Sequence, residues 1–545
     1  MTTRESRATK QRKPAKPPEL GTLFDLLADR GSPTTVHLSR PFDICPDGGV
    51  TFGIDRLARL VREAAGWLAA AGTRPGDRVA VVKANHWDVV LLACAAARMG
   101  AVPALISDDL PATALQTLLK RLEPALLITD SRTVEAVRDA GTEPAVFAPR
   151  TLTLDRKAVG TLGLDDVRGH EPPPVLRRHP DDTLVVHHTS GTTGVPKLVE
   201  HTTRTIIHRL AHFECQRTPI VASRRDDTVA VADPFVHGRA VPWTTSVFHL
   251  APRKVVILAD TDPAAVARTL TAHPPTTVEA SPATYVRWQG LAAGPGNPFR
   301  AVRLYISTFD SVHPPTVRGY LGASRRQHPV WLQGWGQTET GPLTFRLLTR
   351  KALAATGRRH PTTRNLGRPV PGRTKLRVVD PETFRPVGRG RPGIILARTK
   401  ARCTGYVGEE DRWSRKALGP WWNTGDIGFL TRSGSLVLLD REVDAVPGTS
   451  CVELEDVIED RLPAVLECTV LGAPGRTLLP VVVTADGWLD ADAWRAAVRD
   501  LPLLAEPIVR GWAEIPRTGT GKVRRLELRA QLLPDAATFG TGHWT

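Results

Sequence analysis

Apolar residues recur at helical spacing through residues 52–71, where Ile54, Leu57, Leu60, Val61, Ala64, Ala65 and Leu68 form one stripe. That pattern predicts an amphipathic helix with one face buried. Gly72 and the Pro75-Gly76-Asp77 turn end it and lead into a predicted strand at residues 78–83. The alternation continues with a helix at 87–99, a strand at 101–106, a helix at 112–122 and a strand at 125–129. Strands alternating with helices of ten or more residues predict an α/β fold, its parallel sheets covered by helices on both faces. The proline-rich stretch 168–180 reads as a linker before a second such unit, which begins with a strand at 183–186 and runs to about residue 335. From 369 to 440, short strands divided by turn residues predict a β-rich subdomain. The hundred or so residues after Arg441 alternate strand and helix, the size of a small α+β closing domain.

Composition refines this picture at a few points. The net charge of +16 brings nucleic acid or a membrane surface into view as partners. The arginines are scattered rather than gathered in one stripe, which favours an enzyme with anionic substrates instead. The densest basic run is Arg4, Arg7, Lys10, Arg12, Lys13 and Lys16; it has no apolar core, so residues 1–19 are expected to be a disordered tail. Six cysteines without metal-ligand spacing read as reduced thiols. The first thirty residues hold no secretory apolar segment, and the longest apolar stretch, 89–106, is broken by Arg98 and Pro103. A soluble, cytoplasmic protein without a membrane span is therefore expected.

The strongest chemical signal is Thr189-Ser190-Gly191-Thr192-Thr193-Gly194-Val195-Pro196-Lys197. Glycines allow a tight turn that brings backbone amides against an anion, hydroxyls add donors, and the lysine supplies a point charge. It is not a GxxxxGK[ST] loop, because Pro196 precedes the lysine and no Ser or Thr follows it. By composition alone a polar surface turn would look much the same.

The loop resembles the signature of the adenylate-forming superfamily of acyl-CoA synthetases, nonribosomal-peptide adenylation domains and luciferases. The resemblance repeats in order along nearly the whole chain. It covers residues 91–105, Pro234-Phe235-Val236-His237-Gly238, Gly334-Trp335-Gly336-Gln337-Thr338-Glu339, Asn423-Thr424-Gly425-Asp426, Asp440-Arg441 and Pro516-Arg517-Thr518-Gly519-Thr520-Gly521-Lys522. It implies a large N-terminal ATP- and acid-binding domain at 20–439 and a small mobile C-terminal domain at 440–545 that carries the catalytic lysine. The implied reaction is attack of an acid on the α-phosphorus of ATP, releasing pyrophosphate, followed by transfer to an acceptor.

The resemblance also implies residue roles. The 189–197 loop would hold the β- and γ-phosphates, Thr338 the α-phosphate and Glu339 Mg²⁺, a hard cation suited to oxygen ligands. Trp335 would stack on adenine, and Asp426 and Arg441 would meet the ribose. Lys522 would bridge the acid and the α-phosphate as charge develops. Phe235, His237, Arg239, Ser307, Phe309, Asp310 and Gly334 would form the acid pocket. His237, where amino-acid-activating members place an aspartate nearby, favours an aryl or acyl acid. Arg239 would meet a second anionic or polar group of the substrate or lie in solvent.

Three departures from the family pattern matter, the first for the acid and the second and third for the thioester half-reaction. Ser307-Thr308-Phe309-Asp310 replaces a small Gly- and Ala-containing segment, adding bulk and charge that suit a small or polar-substituted acid. Val443 stands where a hinge Asp or Lys is usual, and the stretch from Arg441 to Glu455 is several residues short. These leave open CoA, a carrier-protein thiol or an amine as acceptor, and an inorganic oxyacid such as nitrite, as in a diazotase, as the activated group. A non-catalytic or nucleic-acid-binding relative is a remote reading, countered by the joint retention of Lys197, Glu339, Asp426 and Lys522.

Overall fold

The computed structural model describes residues 19–191, 194–354, 360–446 and 448–534. Thr192, Thr193 and the basic run at 4–16 lie outside the described residues. The predicted α/β alternation is present: the first stripe forms helix Ile54–Ala70, and the next elements are Arg78–Lys83, Asp88–Arg98, Val102–Ser107, Ala112–Leu122 and Leu126–Thr129. Val102–Ser107 and Leu126–Thr129 flank Arg78–Lys83 in parallel, each buried along most of its length. Burial on both faces explains why these strands read as continuous apolar runs rather than alternating ones.

The proline-rich stretch 168–180 does not separate two sheets. Strand Thr183–His188 lies parallel to Val102–Ser107 within one eight-stranded sheet. The hydrogen-bonding edge of Val102–Ser107 accepts a partner from far along the chain, a pairing that local composition cannot report. Thr183–His188 then folds back on Leu198–Thr202 as an antiparallel hairpin, whose connection is the threonine- and glycine-rich loop.

A second, larger sheet has a parallel centre made by Thr228–Ala232, Lys254–Ile257, Thr277–Ala280, Leu304–Ser307 and Val330–Gln337. The β-rich stretch predicted at 369–440 is not a detached subdomain. Strands Gly341–Leu348 and Asn365–Pro369 join it to this same sheet through antiparallel pairing. The carboxyl ends of the parallel strands, at Ser307 and Gln337, point to one edge, where ligands bind in open α/β sheets.

After Arg441 the chain builds a three-stranded sheet, Val465–Leu471, Leu479–Thr484 and Ile508–Arg510, with two apolar clusters of its own. Helix Cys451–Arg461 presses one acidic face onto the preceding body. Asp456, fully buried, accepts from His313 Nδ1 at 2.8 Å and from the Thr363 amide and hydroxyl. Burial alone would lower the His313 pKa, but Glu459, Asp456 and Glu455 outweigh it and push it up to about 10, so the ring is a charged donor. Arg318 and His360 add contacts to Asp460. Among the described residues no helix is long and apolar enough to cross a membrane.

Candidate active site

Two connected cavities occupy the sheet edge. One, of about 270 Å³, is lined by Thr189, Ser190, Gly191, Val195 and Lys197 of the loop and by Glu339, Asp426, Arg441 and Lys522. The other, of about 450 Å³ and more apolar, runs beneath His237 between helix Ala240–Leu250 and the large sheet. Ser190, Phe309, Thr338 and Lys522 line both, and so mark their junction.

The loop is pinched at its base: the Thr189 amide donates to the Lys197 carbonyl and the Lys197 amide to Thr189 Oγ1, each at 3.0 Å. Gly191 adopts φ +69, and a Cβ there would lie 2.8 Å from Pro196, so the turn requires glycine. Lys197 sits on the cavity wall, its ammonium 5.7 Å from the Tyr406 ring centroid. Burial brings its pKa down to about 7; Glu339 opposes that, while Lys416, Arg412 and Arg441 add to it. Glu339 is buried, and its carboxylate accepts from the Tyr406 hydroxyl at 2.6 Å. Burial pushes its pKa up, but Lys197, Lys416 and that hydrogen bond hold it below the usual carboxylate range. Two largely buried lysines, Lys197 and Lys416, thus converge on one carboxylate with Arg412 and Arg441 close by. The surplus of positive charge calls for an anion.

Asp426 pairs across the strands with Arg441. Its carboxyl is raised by burial against the pull of Arg441, Lys416 and Lys522. Gln337 ties this end to the nucleotide strand: its Nε2 donates to the Thr424 carbonyl at 2.6 Å, and its Oε1 accepts from Trp422 at 3.0 Å. Trp335 packs beside Leu366, Ile395 and Leu436 and lines both cavities. The Thr338 carbonyl accepts from His201 Nε2 at 2.7 Å, which holds the junction strand in place.

Three neutral imidazoles surround the junction. His188 Nε2 accepts from the Ser107 amide while its Nδ1 donates to the Thr189 carbonyl, which sets its tautomer. Burial lowers the pKa of His188 to about 4 and of His187 to about 3. His237 is lowered well below its ordinary value by burial and then by His188 and His187. Its Nδ1 donates to the His188 carbonyl at 3.3 Å, so Nε2 is an acceptor.

Lys522 reaches the junction on a tight loop in which Gly521 adopts φ +83. A Cβ on Gly521 would lie 2.7 Å from the Ala283 side chain, and one on Gly519 3.1 Å from Ser107 Oγ. Glycine here permits the close approach that delivers the lysine. Burial lowers the Lys522 pKa, opposed first by Asp310 and later by Asp426 and Glu339. Phe309, beside Asp310, holds φ +77, a left-handed conformation unusual for a side chain of its size.

Two residues expected in the acid pocket lie elsewhere. Phe235 is buried in the main apolar core and lines neither cavity, because the turn after strand Thr228–Ala232 directs its ring inward while its amide bonds Asn85. Ser307 is likewise buried, its hydroxyl accepting from Trp331 Nε1 at 2.9 Å. Arg239 lies in the pocket, not in solvent. Its guanidinium is clamped between Glu214 at 2.5 Å and Glu279 at 2.6 Å. Gly194 lines neither cavity, whereas His237, Arg239, Phe309 and Gly334 line the larger one and Asp310 the smaller. Sequence reasoning missed Lys416, Tyr406, Gln337 and His188. Of these only Gln337, inside the Gly334–Glu339 motif, carried a signal.

Comparison with known proteins adds to this geometry. Residues 31–407 match the family model described as AMP-binding enzyme. Over 93% of this chain and 94% of the relative's length, the sequence is 37% identical to the 3-amino-2-hydroxy-4-methoxybenzoate diazotase of Streptomyces cremeus. It is 26% identical, over 89% of this chain and 90% of the relative, to the 3-aminoavenalumate diazotase of a Streptomyces species. The fold superposes with a TM-score of 0.79 on the crystal structure of an anthranilate CoA ligase in complex with anthranoyl-AMP. That match covers 95% of this chain and 98% of the ligase at 19% identity.

Proposed function

This chain belongs to the AMP-binding, adenylate-forming enzymes, ATP-dependent ligases, and from that premise we propose that it is a diazotase that joins nitrite to an aromatic amine. The observation that carries this reading is the junction itself. Ser190, Phe309, Thr338 and Lys522 face both the nucleotide cavity and the arene-sized one. An oxyacid held at the α-phosphate and an amine held in the larger cavity would meet there, without a separate thiol channel. The diazotase names of the two relatives support it, as do the short stretch after Arg441 and the valine at 443.

In this reading a nitrite oxygen attacks the α-phosphorus, the O–P bond forms and pyrophosphate leaves. The amine nitrogen then attacks the activated nitrogen; an N–N bond forms, the N–O bond to phosphate breaks and AMP departs. The Asp310 carboxylate, next to Lys522, takes the proton the amine sheds and returns it to the nitroso oxygen, and loss of water then leaves the diazonium. Lys522 neutralises charge on the α-phosphate, and the neutral His237 offers Nε2 as an acceptor to the entering group. Asp426 and Arg441 hold the ribose, Trp335 stacks on the base, and Lys197 and Lys416 hold the phosphates.

Glu339 is the buried carboxylate suited to Mg²⁺. Among the described residues no group of three or more His, Cys, Asp or Glu side chains gathers as a metal cage. Glu339 would hold the ion, which would supply charge neutralisation at the substrate phosphates. The test is incubation with ATP, Mg²⁺, nitrite and 3-aminobenzoate, with pyrophosphate followed and the diazonium trapped as an azo dye. Dye and pyrophosphate formation dependent on both nitrite and the amine is expected. A CoA thioester formed from the acid without nitrite would overturn the reading.

The phosphate site carries a pH prediction. Lys197, at about 7 in the free protein, binds phosphate as the ammonium, and a bound triphosphate raises its pKa again. ATP binding therefore takes up almost no proton at pH 6 and close to one at pH 8, and affinity falls as pH rises above 7. Calorimetry in two buffers of different ionisation enthalpy measures the uptake. Lys197→Met should abolish it.

A further inference from the structure

The larger cavity has a polar patch on its otherwise apolar wall. Helix Ala240–Leu250 and the residue before it present Arg239, Trp243 and Ser246 on one face, three and four residues apart. Strand Thr277–Ala280 presents Thr277 and Glu279, two apart and so on the same side of the sheet. Glu279 lies in register with Ile306, and Ile306 with Leu332. The patch therefore sits two residues before the level of Thr308 and Gly334, about 7 Å further from the nucleotide along the strands. That offset matches the length of one aromatic ring.

Its charge is unbalanced. Glu279 bonds Arg239 Nε at 2.6 Å and an Nη at 3.1 Å, while Glu214 takes the other Nη and the Ser246 hydroxyl at 3.2 Å. Two carboxylates thus face one guanidinium. Asp233 behind them is raised well above the usual carboxylate range by burial and by Glu279, which disfavours a further negative charge there. Arg239 is occupied on both sides and has no anion-binding fork left. The Trp243 indole nitrogen and the Thr277 hydroxyl, both on cavity-lining residues more than nine-tenths buried, have no hydrogen-bond partner. Both atoms are sealed from the cavity by their own side chains and neighbours, so the open polar groups of the wall are the carboxylates.

We propose that Glu214, Arg239 and Glu279 form a subsite for a hydrogen-bond-donating ring substituent, an amino or hydroxyl group, on the arene end remote from the reacting amine, and that the subsite rejects a carboxylate at that position. Glu214 is the acceptor, since its side chain is 15% exposed against 2% for Glu279. The Ser246 hydroxyl, which donates to Glu214 at 3.2 Å, lines the same wall. The inference rests on the larger cavity holding the arene, as the proposed function has it, and extends that reading to the substrate's substitution pattern.

The test is calorimetric binding of aniline, 4-aminophenol, 1,4-phenylenediamine and 4-aminobenzoate to the full chain with AMP present, each with an amine for the junction. A hydrogen bond to a charged acceptor makes the aminophenol and the diamine bind about 10-fold tighter than aniline, and 4-aminobenzoate weakest of the four. A gain by only one of the two donors identifies which group the subsite takes. Glu214→Gln, nearly isosteric, should bring the donors close to aniline and admit 4-aminobenzoate. Equal binding of aniline and both donors by the wild-type chain, or 4-aminobenzoate binding tightest, would overturn the proposal without need of any variant. Binding needs neither nitrite nor turnover. A donor preference without nitrite-dependent pyrophosphate release would therefore sink only the diazotase reading, and turnover with a flat binding series only the subsite.

Discussion

Lys522→Ala should lower acid-dependent pyrophosphate release about 10²- to 10³-fold, the usual cost of removing one group that meets developing charge, while ATP affinity changes little. The asymmetry follows from where the lysine sits. It lines the junction of the two cavities rather than the phosphate loop, and its nearest electrostatic support comes from Asp310. An ATP analogue titrated against both proteins, beside ATP–pyrophosphate exchange, separates binding from chemistry. Loss of both in equal measure would instead make Lys522 a nucleotide anchor. Its loop is closed on itself by the Thr518 amide to the Lys522 carbonyl at 2.9 Å, a backbone bond the substitution preserves, so folding should survive.

Glu339→Gln is expected to cost a comparable factor, about 10²-fold or more in kcat/KM, by a different route. The carboxylate would ligate Mg²⁺, and it is also the charge that supports both Lys197 and Lys416. Its removal should raise the Mg²⁺ concentration needed for half-maximal rate. It should also lower the Lys197 pKa further, because the group that opposed the effect of burial is gone. The pH above which ATP affinity declines then moves below 7. A Mg²⁺ titration at two pH values measures both consequences. An unchanged Mg²⁺ requirement would remove Glu339 from the metal role and leave it as a partner of the lysines. Glutamine keeps an acceptor for the Tyr406 hydroxyl, which bonds Glu339 at 2.6 Å, so the packing there is retained.

The parts of the site that were legible in the sequence are those that act as contiguous segments. The turn at Gly191, the run from Gly334 to Glu339 and the approach of Gly519 and Gly521 each need particular residues at neighbouring positions. Backbone conformation and close contact are local demands. Phe235 and Ser307 show the limit of that logic. Each lies inside a motif that borders the cavities, yet each turns its side chain away from them, Phe235 through the turn that follows Thr228–Ala232 and Ser307 because alternate residues along its strand face opposite sides. The long antiparallel extension of the large sheet and the return of Thr183–His188 to the first sheet were equally out of reach, since strand pairing is decided by partners distant in the chain.

The clamp on Arg239 is the clearest case. Glu214 and Glu279 stand 25 and 40 residues from it, and no spacing rule links them. A sequence reading could offer only a substrate contact or a solvated arginine. Lys416 is similar: nothing around it distinguishes a surface lysine from one buried beside Glu339.

What the sequence by itself determined is the family, the α/β class and the set of motif residues, because these rest on local turn chemistry and on the period of apolar positions. Only the tertiary structure decided which charges meet. The protonated His313 on Asp456, the two lysines on Glu339 and the saturated Arg239 each depend on groups from separate elements brought out of water together. Burial there multiplies electrostatic effects that an isolated chain would leave screened.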